Sequence, residues 1–201
     1  MKDVFDLVVF DGVYPPSEDT YLLVDSITIR PNDFVLDVGC GVGLATLVAA
    51  SIAQQVVSVD ISFEAVQNTR ENLRRNNVGR NVSLIQADLL SALSERCKFS
   101  LILFNPPYLP EDETQTDMDH ALVGGLSGIE LTQRFILETQ RHLIEGGTIY
   151  VVVSSLTDIE KVQSILRENN FEISIEKETS MFFERIQLLK GIWQGHKEIV
   201  L

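Results

Sequence analysis

Apolar runs of five or six residues alternate along this chain with longer segments whose apolar positions recur every three or four residues. The runs at 34–38, 55–59, 82–86, 99–104 and 148–153 read as strands. Helices are expected between them. One is capped by Ser17 and runs to about Ile27, and a small-residue helix covers 43–53. A third is capped by Ser62 and stopped by Asn77-Val78-Gly79. Two more are expected over 127–143, ended by Gly146-Gly147, and over 156–169, with a long loop from Leu109 to about Gly125. The last runs, 171–177 and 183–190, read as an antiparallel pair.

Strands separated by helices imply an α/β fold with a mostly parallel sheet. Continuous Val, Ile and Leu in the runs fits strands buried on both faces. Seven strands are expected, with helices on both faces and an antiparallel C-terminal strand, in a single domain over 1–201. In such sheets ligands bind beyond the carboxyl ends of the strands. Asp37 to Gly43, Asp60, Asp88 and Asn105 all fall at expected strand ends.

Composition narrows the classes. The net charge of −13 disfavours nucleic acid held through its phosphates, which needs clustered Lys and Arg. The nearest basic group, Arg70, Arg74, Arg75 and Arg80, has the spacing of a solvated helix face. No stretch approaches the roughly 20 apolar residues that span a bilayer, and Asp3 and Asp6 follow Lys2 at the start. The chain is read as soluble and cytoplasmic, without membrane contact. Cys40 and Cys97 have no paired spacing, and His120, His142 and His196 are scattered, so no metal is assigned. His142 is expected near a helix C-terminus, where a cation suits the dipole.

Candidate chemistry centres on Asn105-Pro106-Pro107-Tyr108, directly after the fourth strand. Two prolines cannot continue a ladder, so the chain leaves the sheet on a rigid path. It presents an amide, backbone carbonyls without competing N–H groups, and an aromatic ring, a set able to grip a flat NH2 group. A Pro-rich turn with a buried Tyr is the plainer reading. Asp37-Val38-Gly39-Cys40-Gly41-Val42-Gly43 is a glycine turn between strand and helix, where Gly39 and Gly41 permit close ligand approach. Its G-x-G-x-G spacing differs from the dinucleotide fingerprint, and an acid two residues ahead repels pyrophosphate while attracting a cationic amino-acid moiety. Asp60 suits two ribose hydroxyls and Asp88 an adenine amine. The set fits S-adenosylmethionine better than a nicotinamide cofactor.

With Tyr14-Pro15-Pro16-Ser17-Glu18-Asp19-Thr20 upstream and Gly124-Gly125 and Gly128 downstream, the chain resembles the HemK-like class I methyltransferases over most of its length. It is most similar to their short archaeal and eukaryotic branch, whose members methylate a release-factor glutamine. The resemblance implies a Rossmann-like fold and cofactor contacts from Thr20, Asp37, Gly39, Asp60, Asp88, Leu89 and Asn105. It implies substrate contacts from Asn105, Pro106, Pro107 and Tyr108, with Asn105, Pro106 and Tyr108 at the reacting centre. It also implies the glutamine of a Gly-Gly-Gln motif as acceptor and a small zinc-binding activator protein as heterodimer partner. That activator would pair near the third strand, around 81–93, where the apolar Leu84, Leu89, Leu90 and Leu93 read either as its surface or as ordinary core. The acids Glu111, Asp112, Glu113, Asp117 and Asp119 read either as a solvated loop or as a dock for a basic substrate. An adenine exocyclic amine, a lysine, a non-catalytic scaffold and a nicotinamide oxidoreductase remain the competing readings.

Overall fold

The computed structural model describes residues 4–107, 128–181 and 184–196. The seven-stranded sheet has the order β3-β2-β1-β4-β5-β7-β6. Strands β1 (Phe34–Val38), β2 (Gln55–Asp60), β3 (Val82–Gln86), β4 (Phe99–Phe104) and β5 (Leu143–Ser154) run parallel to one another. Strand β7 (Glu184–Trp193) is antiparallel to both β5 and β6 (Phe171–Met181), and lies between them. The expected antiparallel pair is present, but the final strand is inserted rather than added at the edge.

Alternation within each strand builds two cores. Leu36, Val38, Ile102, Phe104, Ile149 and Val151 pack on one face with Phe135 and Ile136 of α4 (Glu130–Thr139) and Val162 and Leu166 of α5 (Ile159–Glu168). Val35, Leu101, Leu103, Tyr150 and Val152 pack on the other. There they meet Leu22 and Leu23 of α1 (Glu18–Ser26), Leu44 and Val48 of α2 (Leu44–Ala50) and Ala65 of α3 (Phe63–Arg75). Burial on both faces is why these strands are apolar without interruption.

Several boundaries differ from expectation, β6 and β7 for instance running on to Met181 and Trp193. Helix α4 ends at Thr139 rather than Leu143, because tight turns follow, and the His142 carbonyl accepts the Phe99 N–H at 2.8 Å. Leu143 already pairs with Phe99, so Gly146-Gly147 lie inside β5, where the β4 register shifts before Leu101 meets Thr148. An apolar residue opening a buried strand had continued the helical spacing. His142 is buried against the Cys97 carbonyl (3.1 Å) rather than capping a helix. The last helix starts at Ile159, because Asp158 caps it by accepting the Lys161 N–H at 2.9 Å.

The N-terminal segment is held by a feature that sequence patterning missed. Asn68, Asn72 and Asn76 stand on successive turns of α3 and its C-cap. Their side-chain oxygens accept the N–H groups of Phe10, Val8 and Asp6 at 2.7, 2.8 and 2.9 Å. Their amide nitrogens donate back to the carbonyls of Val8, Val8 and Asp6. Two residues of extended chain advance about 6.6–6.8 Å and four residues of helix about 6 Å, so the two repeats stay in step over these three rungs. The segment is thereby delivered to Gly12, Val13 and Tyr14, above the strand ends.

Candidate active site

The strand order reverses between β1 and β4, and this switch point opens a cavity of about 400 Å³. Its size falls within the range of small-ligand sites. The glycine turn after β1 forms its floor. The N–H groups of Gly39 and Cys40 donate to the Val59 carbonyl at 2.8 and 3.1 Å. Thr69 Oγ1 donates to the Gly41 carbonyl at 2.9 Å, and Asn72 Nδ2 to that of Val42 at 2.8 Å. Helix α3 therefore grips the turn from behind. Gly43 has φ +86°, and a Cβ there would lie 2.7 Å from Thr69 Cγ2. At Gly41, φ is +53° but a Cβ would meet nothing within 4 Å.

Three carboxylates face this floor with different surroundings. Asp37 is buried and accepts from Thr46 Oγ1 at 2.5 Å, which in turn shares a hydrogen with Ser58 Oγ at 2.8 Å. Burial pushes its carboxyl up to about 7, with the Thr46 hydrogen bond opposing and Asp60 adding to the rise. Asp60 accepts the Gly41 N–H on Oδ2 and the Ser62 N–H on Oδ1, both at 2.9 Å. Its carboxyl is also raised by burial, against those backbone bonds. Each oxygen keeps a further lone pair, so a diol could still be accepted. Asp88 is half-exposed and paired with Arg134 of α4 at 2.9 Å. Leu89 beside it is buried at φ +47°, a backbone conformation that costs a residue with a Cβ of order 1–3 kcal/mol.

The roof comes from the N-terminal segment and α1. Tyr14, Pro16, Asp19, Thr20 and Leu23 line the cavity opposite the glycine turn. Burial raises the Tyr14 phenol, and the Asp19 carboxylate adds to this. Asp19 is buried in the first turn of α1 and receives Thr20 N at 2.6 Å and Thr20 Oγ1 at 3.2 Å. Its other oxygen receives Asn105 Nδ2 at 3.1 Å. Asn105 Oδ1 is buried and has no hydrogen-bond partner among the described residues.

Thr20, Asp37, Gly39, Gly41, Asp60, Asp88, Leu89, Asn105, Pro106 and Pro107 all line this one cavity. Tyr108, Gly124, Gly125 and the acids between 111 and 119 lie outside the described residues. Sequence reasoning assigned Asp19 only to the helix first turn; an acid directly before Thr20 under a proline-stiffened cap was the available signal. Leu89 and Leu90, expected on a docking surface, are core residues, whereas Leu84 and Leu93 are half-buried.

A Rossmann-like sheet with one inserted antiparallel strand, and acids around a glycine turn at its switch point, has the architecture of a class I methyltransferase. The methyltransferase small domain family matches residues 16–182. A candidate protein N5-glutamine methyltransferase of Methanocaldococcus jannaschii is 35% identical over 89% of this chain and 91% of its own length. The release factor glutamine methyltransferase of Clostridium botulinum is 31% identical over 80% of this chain, which spans 62% of that protein. Among solved structures, Mtq2 in the E. cuniculi Mtq2–Trm112 complex, responsible for methylation of the eRF1 translation termination factor, superposes with a TM-score of 0.69. It is 27% identical, over 90% of this chain and 99% of that one. The chain belongs to the methyltransferase small domain family, among the HemK-like protein-glutamine methyltransferases.

Proposed function

We propose that this chain transfers a methyl group from S-adenosylmethionine to the side-chain amide nitrogen of the glutamine in a release factor's Gly-Gly-Gln motif. The carrying observation is Asn105, which holds, just after β4, a buried acceptor without a partner among the described residues. Buried polar atoms are rarely left so, and an N–H of a planar amide would satisfy it. The donor set suits the cofactor as well. Asp37 can take a cationic amine and Asp60 a ribose diol. Asp88, the Leu89 backbone and Thr20 complete the cradle, with Gly39 and Gly41 allowing close approach.

When bound, S-adenosylmethionine supplies a methyl carbon on a positively charged sulfur. An amide nitrogen is a weak nucleophile, because its lone pair is shared with its carbonyl. Asn105 Oδ1 and the Pro106 carbonyl accept its two hydrogens, which aims the nitrogen and favours charge as it develops there. Pro107 keeps the carbonyl path rigid, and Tyr108, the proposed ring for the amide plane, lies outside the described residues. The cofactor would supply the methyl group and keep the electron pair of the broken carbon–sulfur bond, while Asn105 and the Pro106 carbonyl would hold the accepting nitrogen in line and its surplus proton would pass to water. Positioning alone can supply about 7–11 kcal/mol in favourable cases.

The proposed partner is a small zinc-binding activator docking on the β3 edge. Among the described residues strand β3 pairs only with β2, and an open edge is a template for strand addition. Ile61 and Phe63 are 70% and 53% exposed nearby in sequence, after β2. Among the described residues no helix is long and apolar enough to cross a membrane. The chain is proposed to act as one domain in the cytoplasm.

The test is methyl transfer from labelled S-adenosylmethionine to a cognate release factor, with and without its Gly-Gly-Gln glutamine, in the presence of the activator. Label confined to the intact factor supports the reading. Label on adenine or lysine instead overturns it. Asn105→Ala should lower kcat about 10²–10³-fold, the loss typical of an oriented hydrogen-bonding group at a reacting centre. Cofactor Kd should stay within about threefold. Equal losses in both would reduce Asn105 to a binding role.

A further inference from the structure

A primary amide such as Asn105 presents either C=O or NH2 at nearly one place, by half a turn about its last bond. Only the oxygen-inward state accepts a hydrogen from an acceptor N–H; the reverse state sets two donors against each other. The contact that decides between them is 86 residues away in sequence, on the roof of the cavity.

We infer that Asp19 is a positioning residue for methyl transfer. Its carboxylate holds the Asn105 NH2 so that Oδ1 is presented to the acceptor nitrogen, and it supplies the negative charge behind that oxygen. The inference rests on the N-methyl transfer proposed above and adds the group that arms it. An ionised carboxylate only accepts, so the NH2 must face Asp19 and the oxygen must face away. Asp19 is 2% exposed, and its other oxygen is held by Thr20 N and Oγ1, so the carboxylate cannot swing to release the amide.

The arrangement also assigns what Asp19 does not do. One of its oxygens is turned to Asn105 and the other to Thr20, so it does not abstract the acceptor's proton. Its charge acts through the amide. By accepting the Nδ2 hydrogen it shifts amide electron density toward Oδ1, making that oxygen a stronger acceptor as the attacking nitrogen becomes positive. The same contact latches α1 to the end of β4, so the roof and the reacting centre are assembled by one hydrogen bond.

The test compares wild type, Asp19→Asn and Asp19→Ala, using the acceptor that wild type methylates. Asp19→Asn is nearly isosteric but can offer either face to Asn105. Turnover should fall about 10²-fold, with cofactor Kd within about threefold and Tm within a few degrees. A fall of kcat under threefold, or a matching rise in Kd, overturns the role. The side-chain amide of Asn105, assigned in labelled protein by its loss in Asn105→Ala, gives a readout that needs neither acceptor nor Asp19 variant. In wild type one Hδ2 proton should be shifted downfield and exchange slowly with solvent. Two freely exchanging protons overturn the inference. A protected proton in a protein that leaves release factor unlabelled would instead sink the substrate reading and keep the Asp19–Asn105 latch.

Discussion

Replacing Asn72 by Ala should separate the N-terminal segment from the rest of the fold. Asn72 is fully buried, accepts Val8 N at 2.8 Å, and donates to the carbonyls of Val8 and Val42 at 2.8 Å each. A buried hydrogen bond contributes about 1 kcal/mol net, and an orphaned partner costs as much or more. Three bonds therefore amount to about 3 kcal/mol. A chain of this size loses roughly 2–4 °C in Tm per kcal/mol, so the expected fall is about 6–12 °C. Asn76→Ala removes bonds to Asp6 at an exposed end and should cost about 1 kcal/mol or less. Thermal unfolding gives the first number. Hydrogen exchange at the Val8 and Phe10 amides gives the cause, since both should lose protection in Asn72→Ala. A Tm within 3 °C of wild type, with those amides still protected, would refute the reasoning.

The glycine turn offers a paired test. Gly43→Ala meets both a positive φ and Thr69 at 2.7 Å, so about 2–4 kcal/mol should be lost; Gly41→Ala has open space and should cost about 1–2 kcal/mol, seen in denaturant midpoints. Equal midpoints for the two variants would contradict the contact. Asp37 makes a pH prediction. Its folded carboxyl is raised from 3.8 to about 7, so the folded state holds a proton that the unfolded state has lost, and ligand-free stability should fall as pH rises from about 4 to 7. A cationic ligand beside it lowers that value, so S-adenosylmethionine should bind more tightly as pH rises toward 7 and release a proton. Calorimetry near pH 6.5 in two buffers of different ionisation enthalpy reads this directly, and zero release would remove Asp37 from the amine site.

Most of the sheet was legible because strands buried on both faces are uninterrupted apolar runs, as 34–38 and 99–104 are. The glycine turn and Asn105 were legible because glycine and paired prolines leave few backbone paths. The rest was not, for physical reasons that differ. Leu143 opens a strand yet continues the spacing of α4, and periodicity reports burial rather than backbone. The Asn68, Asn72 and Asn76 ladder looks like a polar helix face, although three poor helix formers at i, i+4 and i+8 were a usable sign. Asp19 looked complete as a first-turn acid, because its partner is 86 residues away. Single-sequence patterns carry local chemistry, whereas that pairing is set by the tertiary fold.

Charge is divided across the cavity in a way that bears on the acceptor. Asp37, Asp60 and Asp88 line its glycine-turn side, the proposed cofactor end, and no Lys or Arg is among its described lining residues. Like charges about 4 Å apart repel by about 4 kcal/mol at an effective dielectric of 20. A pyrophosphate would meet that repulsion, while a ligand bearing a sulfonium and an ammonium relieves it. The carboxyl of Asp37 is raised mainly by burial, with Asp60 adding to the rise, and a nearby cation would oppose both. At the far end the groups left to grip an acceptor are neutral dipoles, Asn105 Oδ1 and the proline carbonyls, while the nearby Asp19 is already engaged. A lysine would arrive charged and must first lose a proton to a base, and Asp19 has both oxygens occupied. A glutamine amide arrives neutral and needs only acceptors for its hydrogens. The separation of carboxylates for the cofactor from dipoles for the acceptor therefore favours an amide.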